Sequence, residues 1–106
     1  MTTPFHSLTL RVGELSFDAI AAGPADGPTV VLLHGFPQTS WSWRRVWPAL
    51  AEAGYRVVAP DQRGYSPGAR PGDPAAYAMT ALVADVNGYL EALGVQSAHV
   101  VGHDWG

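Results

Sequence analysis

Short apolar runs alternate along the chain with clusters of glycine and proline, which predicts many short elements joined by tight turns. A run from Thr29 to Leu33 is apolar at successive positions and therefore predicts a central strand that is covered on both faces. Gly13 separates the first two runs and predicts a hairpin. The remaining predicted strands are Phe5–Val12, Leu15–Ala22, Tyr55–Pro60 and Ser97–Val101.

Two stretches have helical rather than strand periodicity. Trp43, Val46, Trp47 and Leu50 follow the i, i+3, i+4, i+7 spacing of one helix face. Pro48 fits only a first turn, so we expect a single turn near 41–45 and a helix over 48–53 with the tryptophans mostly in the core. Apolar residues then recur at helical spacing from position 79 to 93, with a glycine after the last one. They are Met79, Leu82, Val83, Val86, Leu90 and Leu93, followed by Gly94.

The resulting order, β-β-β-α-β-α-β, predicts an α/β fold with an open sheet covered by helices. Ligands bind such sheets at the carboxyl ends of the strands. Two segments with residue types typical of active sites follow strand ends, namely His34-Gly35-Phe36-Pro37 and Gly102-His103-Asp104-Trp105-Gly106. This placement is the first indication of a functional site.

Composition narrows the function classes. The chain has 106 residues and a net charge of −3, and its six cations are scattered arginines, which excludes the basic surface of a nucleic-acid-binding protein. It has no cysteine, hence no disulfide and no thiolate metal site. No apolar run approaches the length of a membrane span, and the first residues do not resemble a secretory signal. We therefore expect a cytoplasmic protein. The segments at the strand ends favour a small-molecule substrate, and they imply no cofactor and no metal.

The segment after the last predicted strand has the form of a nucleophile elbow with an aspartate at its centre. Gly102 and Gly106 flank Asp104 at the spacing that permits a sharp turn, although an ordinary strand-end turn would also fit this short pattern. An elbow needs two backbone N–H groups as an oxyanion hole, and Trp105 and Phe36 are the predicted donors. Gly35 would allow the close approach and Pro37 would fix the loop's direction, but a rigid turn alone would fit them too.

An aspartate nucleophile restricts the chemistry. Its carboxylate is ionised at neutral pH and needs no base for activation. Attack on an ester would give a mixed anhydride, whereas attack on a saturated carbon gives an alkyl ester that water can hydrolyse. Asp104 therefore favours epoxide opening or dehalogenation over esterase or peptidase activity.

The other polar candidates have mainly structural interpretations. His99 and His103 would lie about 13 Å apart on a strand, which argues against a metal site. His34 and His103 are interpreted as local orienting or packing residues and not as a catalytic base. Arg63, in a loop after the fourth strand, is expected to be held in hydrogen bonds. A dinucleotide-binding domain is disfavoured because no G-x-G-x-x-G follows a strand.

Four stretches together resemble the α/β-hydrolase fold family along the whole chain: LLHGFPQTSWSW, VVAPDQRGYSPGARP, ALVADVNGYLEALG and VVGHDWG. Within the family, Gly-His-Asp-Trp-Gly with His-Gly-Phe-Pro is most similar to epoxide hydrolases. Haloalkane dehalogenases usually carry a polar residue in place of Phe36. Fluoroacetate dehalogenases usually carry arginine in place of Trp105. Both remain alternatives.

The resemblance implies that residues 1–106 are the N-terminal part of one α/β-hydrolase domain, ending at the elbow. The family's catalytic histidine, its acid and the cap that donates protons to the epoxide would lie in later segments. We therefore expect the 106-residue chain to be inactive by itself. The non-enzymatic alternative is a truncated fragment or one half of a split protein.

Overall fold

The computed structural model describes residues 4–106, which form a five-stranded mixed sheet with helices on both faces. Short 3₁₀ turns at Ser40–Trp43 and Pro74–Tyr77 precede the two α-helices. The strands are β1 (Phe5–Val12), β2 (Leu15–Ala22), β3 (Thr29–Leu33), β4 (Arg56–Pro60) and β5 (His99–Gly102), and the helices are α1 (Trp47–Glu52) and α2 (Met79–Leu93).

The strand order across the sheet is β1-β2-β4-β3-β5. β1 and β2 form the predicted antiparallel hairpin, and β2 continues antiparallel onto β4. β3 pairs in parallel with both β4 and β5, so the run that is apolar throughout becomes an interior strand. The α/β class and the element order predicted from the sequence are confirmed.

The core has two halves because successive side chains of β3 and β4 point to opposite faces of the sheet. Val31 and Val58 are buried toward α2, where the ring of Tyr89 meets Phe17 edge-on with centroids 5.0 Å apart. On the other face, the alternate residues of both strands pack with Trp47 of α1. Helices on both faces explain why these strands lack an apolar–polar alternation.

Three details differ from the sequence-based expectation. Trp41 is half exposed instead of buried, because it lies in a surface turn against Phe5 and Trp47. Met79 and Val83 follow the helical period but remain exposed, because no described element covers the first turns of α2. β5 begins at His99, two residues later than predicted.

Candidate active site

The two segments predicted to carry chemistry lie side by side. The last residue of β3, Leu33, pairs with Gly102, the last residue of β5, and the His103 N–H donates to the Leu33 carbonyl over 3.2 Å. Parallel pairing brings both carboxyl ends to the same edge of the sheet. His34–Pro37 and the residues after Gly102 therefore meet, as the sequence indicated.

Asp104 occupies a sharp turn directly after β5. Its φ of 62° lies in the left-handed region, which is rare for a residue other than glycine and is a conformation found in functional turns. The Gly106 N–H donates to the His103 carbonyl over 3.0 Å and closes the turn. A Cβ at Gly102 would collide with the Gly106 carbonyl, and one at Gly106 with the Leu33 carbonyl. Both flanking glycines are thus required sterically.

The loop after β3 presents one backbone N–H to the aspartate. The Phe36 N–H donates to Asp104 Oδ2 over 3.0 Å, although the two residues are 68 positions apart in the chain. The preceding N–H, that of Gly35, is occupied by Gln38 Oε1 at 3.2 Å, and the Gln38 N–H donates back to the Gly35 carbonyl. Pro37 follows Phe36 through a cis peptide bond. Because Gln38 occupies the Gly35 N–H, the Phe36 N–H is the donor of this loop that faces Asp104.

Close approach of the two segments depends on Gly35. A Cβ there would overlap the Asp104 side chain and would lie 2.7 Å from the His103 carbonyl oxygen. Trp105, whose side chain is 72% exposed, follows Asp104 at the open edge of the sheet. The roles of Phe36 and Trp105 as oxyanion donors, and of Asp104 as nucleophile, remain predictions.

His34 is buried and held in one tautomer. Its Nε2 accepts the Gln62 backbone N–H over 3.0 Å, and because a backbone N–H can only donate, Nε2 must be unprotonated. Nδ1 then carries the proton and faces the Gly35 carbonyl at 3.0 Å. Burial lowers the pKa of His34, although that hydrogen bond and nearby Asp61 act in the opposite direction. Both ring nitrogens of His34 therefore face backbone partners, and its role as an orienting or packing residue of the loop stays a prediction.

The second predicted support residue, His103, has an exposed side chain. It lines a cavity of about 220 Å³ together with Gln38, Ser42, Trp43 and Val46, and Asp104 is not among the lining residues. The predicted orienting role of the His103 side chain stays a prediction.

Two cavities with shared lining residues lie at the site, and Asp104 lines one of them. One, of about 200 Å³, lies between the residues after β4 and the loop His34–Pro37, called here the Phe36 loop. The other, of about 260 Å³, is lined by Asp104 and by residues at the start of α2. They share three lining residues, Gln62, Leu82 and Trp105, and aromatic rings form much of the first one: Phe36, Tyr65, Tyr77 and Trp105. A larger cavity of about 500 Å³, near Pro4 and Gly23, contains none of the predicted site residues.

Sequence reasoning missed Gln38, Gln62, Tyr65 and Tyr77 as parts of the site. Gln62 holds His34 twice, since its Nε2 also donates to the His34 carbonyl over 2.7 Å. Gln38 lies in the same turn as Gly35, and that spacing was a usable signal. Tyr77 reaches the cavity only through the fold of the loop after β4, which leaves no periodic signal.

Arg63 is held in hydrogen bonds, as predicted. Its Nε and Nη2 donate to the two carboxylate oxygens of Asp85 on α2, over 2.8 and 2.7 Å, and Nη1 donates to the Ala76 carbonyl over 3.1 Å. This bidentate contact with Asp85 raises the pKa of Arg63 further above its ordinary value.

Neither a cluster of metal-binding side chains nor a membrane-spanning helix occurs within residues 4–106. No group of three or more histidine and acidic side chains in that range is arranged to hold a metal ion. None of the helices described there is long and apolar enough to cross a bilayer.

Comparison with known proteins places the chain in a family. Residues 28–106 match the family model described as alpha/beta hydrolase fold. Epoxide hydrolase B of Mycobacterium tuberculosis is 56% identical over 90 residues, which are 83% of this chain and 25% of that protein. Epoxide hydrolase A of the same organism is 51% identical over 87 residues, 82% of this chain and 27% of that protein.

The fold agrees with the sequence match. The crystal structure of Epoxide Hydrolase A from Mycobacterium thermoresistibile superposes with a TM-score of 0.92 at 42% identity, covering 97% of this chain and 32% of that one. The chain therefore spans about a quarter to a third of the length of these relatives. It belongs to the alpha/beta hydrolase fold family, and the proteins it resembles here are named epoxide hydrolases.

Proposed function

We propose that this chain carries the nucleophilic half of an epoxide-hydrolase site, in which Asp104 attacks a saturated carbon. The observation that carries the proposal is the 3.0 Å hydrogen bond from the Phe36 N–H to Asp104 Oδ2. It singles out one carboxylate oxygen for the backbone donor and leaves Oδ1 as the oxygen that attacks. The names of the related proteins support an epoxide as the substrate.

The first step forms an ester. Oδ1 donates an electron pair to an epoxide carbon, and the bond between that carbon and the ring oxygen breaks. The oxygen stays on the neighbouring carbon as an alkoxide and takes a proton from water. Ring strain drives the opening, and the ionised carboxylate needs no base. The product is an alkyl ester of Asp104 whose carbonyl oxygen is Oδ2, still beside the Phe36 N–H.

The second step uses the backbone donors. Water adds to the ester carbonyl, negative charge develops on Oδ2, and the N–H groups of Phe36 and Trp105 stabilise it before the ester bond breaks to release the diol. This step requires a base to deprotonate the water. His34 is unsuited, because both of its ring nitrogens face backbone partners.

We further propose that the 106-residue chain alone stops at the ester. Four histidines lie in the described range, and His34 is engaged by two backbone partners. His6 is on β1, at the opposite edge of the sheet from β5, and His99 is the first residue of β5, at the end away from Asp104. His103 lines a separate cavity that Asp104 does not line. The chain should therefore react once and hold the alkyl group, without turnover.

A single-turnover experiment tests both statements. The purified chain is incubated with a reactive terminal epoxide, its intact mass is followed, and diol is assayed in parallel. We expect the mass of the chain to increase by one epoxide, and we expect this increase to be lost in Asp104→Asn and kept in Asp26→Asn. Asp26→Asn is the control because it removes an exposed carboxylate in a turn that is distant from Asp104 in the sequence. Equal labelling of all three proteins would refute Asp104 as the nucleophile. Asp104-dependent diol in excess of the protein would refute the proposed inactivity.

A second, non-enzymatic candidate is a segment that associates with a complementary chain. The outer edge of β5 favours it, because Val100 and Val101 are 48% and 43% exposed on a strand that pairs with β3 on one side within the described sheet. Analytical ultracentrifugation discriminates the candidates. A stable monomer that is alkylated at Asp104 supports the first, and a defined complex without alkylation supports the second.

A further inference from the structure

We infer that Arg63 and Asp85 are a positioning pair that sets the width of the cavity beside Asp104 and so limits the size of the substrate group that enters. The inference deepens the proposed function and rests on it. It concerns the wall formed by residues 61–77, which the mechanism above does not use.

Arg63 joins three segments with one planar group. The guanidinium binds Asp85 of α2 through two parallel hydrogen bonds and the Ala76 carbonyl of the 3₁₀ turn through a third. The side chains of Arg63 and Asp85 are only 14% and 5% exposed. All three guanidinium nitrogens are used, so the turn at Ala76 is fixed relative to α2.

From the hydrogen bonds of Arg63, the wall continues through Tyr77 to the cavity of about 200 Å³. Tyr77, next to Ala76, packs its ring against Gly64, where a Cβ would lie 3.1 Å from the ring, and its hydroxyl donates to the Pro71 carbonyl over 2.8 Å. Tyr77 also lines the cavity of about 200 Å³, together with Phe36 and Trp105. Arg63 therefore holds Tyr77 at its distance from the site.

The other end of the wall meets the Phe36 loop. Gln62, adjacent to Arg63, binds the ring and the carbonyl of His34, which immediately precedes Gly35 and Phe36. Movement of Arg63 would thus be transmitted in two directions, to Tyr77 and to the donor that faces Asp104. The Arg63–Asp85 pair is therefore connected to two parts of the site, unlike an ion pair that only holds a surface loop in place.

The chemistry of the pair fits positioning better than stabilisation. A buried ion pair contributes little net stability, since desolvation offsets the attraction, and an apolar pair of similar volume often serves as well. Its bidentate geometry, in contrast, is specific to arginine, because a lysine ammonium cannot make the planar fork. Stability and positioning can therefore be separated by mutation.

The test measures discrimination between two epoxides. Rate constants for alkylation of Asp104 are determined with a small alkyl epoxide and a bulky aryl epoxide over a range of concentrations, which separates the half-saturating concentration from the limiting rate. Variants are Arg63→Lys, the double variant Arg63→Met/Asp85→Leu, and Arg11→Lys as a control at an exposed position of β1. Urea unfolding of each variant is recorded in parallel.

We expect the double variant to unfold at a urea concentration near that of the wild type, while its preference for the small epoxide falls about tenfold. The change should appear mainly in the half-saturating concentration of the bulky epoxide. Arg63→Lys should lose discrimination as well, and Arg11→Lys should keep it. Tyr77→Ala removes the wall without touching the pair and should change the preference in the same direction.

Unchanged discrimination in folded Arg63→Lys or in the double variant would overturn the inference, as would unchanged discrimination in Tyr77→Ala. Should the wild-type chain not be alkylated, the proposed function fails, and the positioning role is then judged by NMR. Contacts between the Tyr77 ring and Gly64, and the amide exchange of Phe36, should change in the double variant and not in Arg11→Lys. Identical spectra at these residues would overturn the inference independently.

Discussion

Replacing Gly35 by alanine tests how the Phe36 loop approaches Asp104. The new methyl group would overlap the Asp104 side chain, with its carbon 2.7 Å from the His103 carbonyl oxygen and 2.9 Å from Asp104 Oδ2. Real Cβ contacts are essentially never closer than 3.0 Å, so the two segments must separate. The bond from the Phe36 N–H to Asp104 Oδ2 lies directly beside this contact.

The size of the effect follows from that overlap. Inserting a methyl group into a closely packed site costs roughly 1–3 kcal/mol. With an m-value of about 1 kcal/mol/M for a chain of this size, the urea midpoint should fall by roughly 1–3 M. A separation of about 0.5–1 Å would also lengthen the 3.0 Å bond from Phe36 to the limit of hydrogen bonding or beyond it.

Gly72→Ala is the matched control, because a Cβ at Gly72 meets nothing within 4 Å. Urea unfolding followed by circular dichroism gives the stability, and amide hydrogen exchange of Phe36 measured by NMR reports the bond to Asp104. We expect Gly72→Ala to stay within about 0.5 kcal/mol of the wild type. Equal midpoints for the two variants, with unchanged exchange at Phe36, would refute the steric account of the site.

Two other predictions concern pH and packing. Burial lowers the pKa of His34 below its ordinary 6.5, so the unfolded chain binds a proton on this residue more readily than the folded chain does. The free energy of unfolding should therefore keep its full value above pH 6.5 and should fall as the pH drops below 6.5. Urea midpoints between pH 8 and pH 5 measure this loss, and His34→Asn should reduce the slope; an unchanged slope would contradict it. Gly88→Ala should destabilise the protein despite the helical preference of alanine, worth about 1 kcal/mol, because its methyl group would strike the Val12 side chain. The double variant Val12→Ala/Gly88→Ala should recover about 1 kcal/mol relative to the sum of the single changes, and strict additivity would be the contrary result.

The parts of the fold that were predictable are those with a strong local signal. β3 was identified as a central strand because Thr29–Leu33 is apolar on both faces, and Gly94 marked the end of α2, where its φ is 73°. Gly88, unfavourable within a helix, lies where a Cβ would strike Val12. Met79 and Val83 were misjudged, because helical periodicity identifies an apolar face but not whether another element covers it.

The site was predictable where motifs lie at strand ends. The pairing of Leu33 with Gly102 brings Phe36 and Asp104 together, and parallel strands predict that neighbourhood. Tyr77 and Asp85 gave no such signal, because the hydrogen bonds of Arg63 connect them to the site. Arg63 binds Asp85, 22 residues later in the chain, and the carbonyl of Ala76, which precedes Tyr77. Side-chain contacts made by irregular loops depend on tertiary packing, which local patterns do not encode.

Mapping the alkylated residue tests the central claim most directly. The 106-residue chain is treated with a terminal epoxide, digested, and analysed by tandem mass spectrometry. The account predicts one ester, on Asp104, whose formation slows in Gly35→Ala and proceeds normally in Gly72→Ala. Labelling distributed over other carboxylates, or no label on Asp104, would contradict the role of this aspartate as the attacking group.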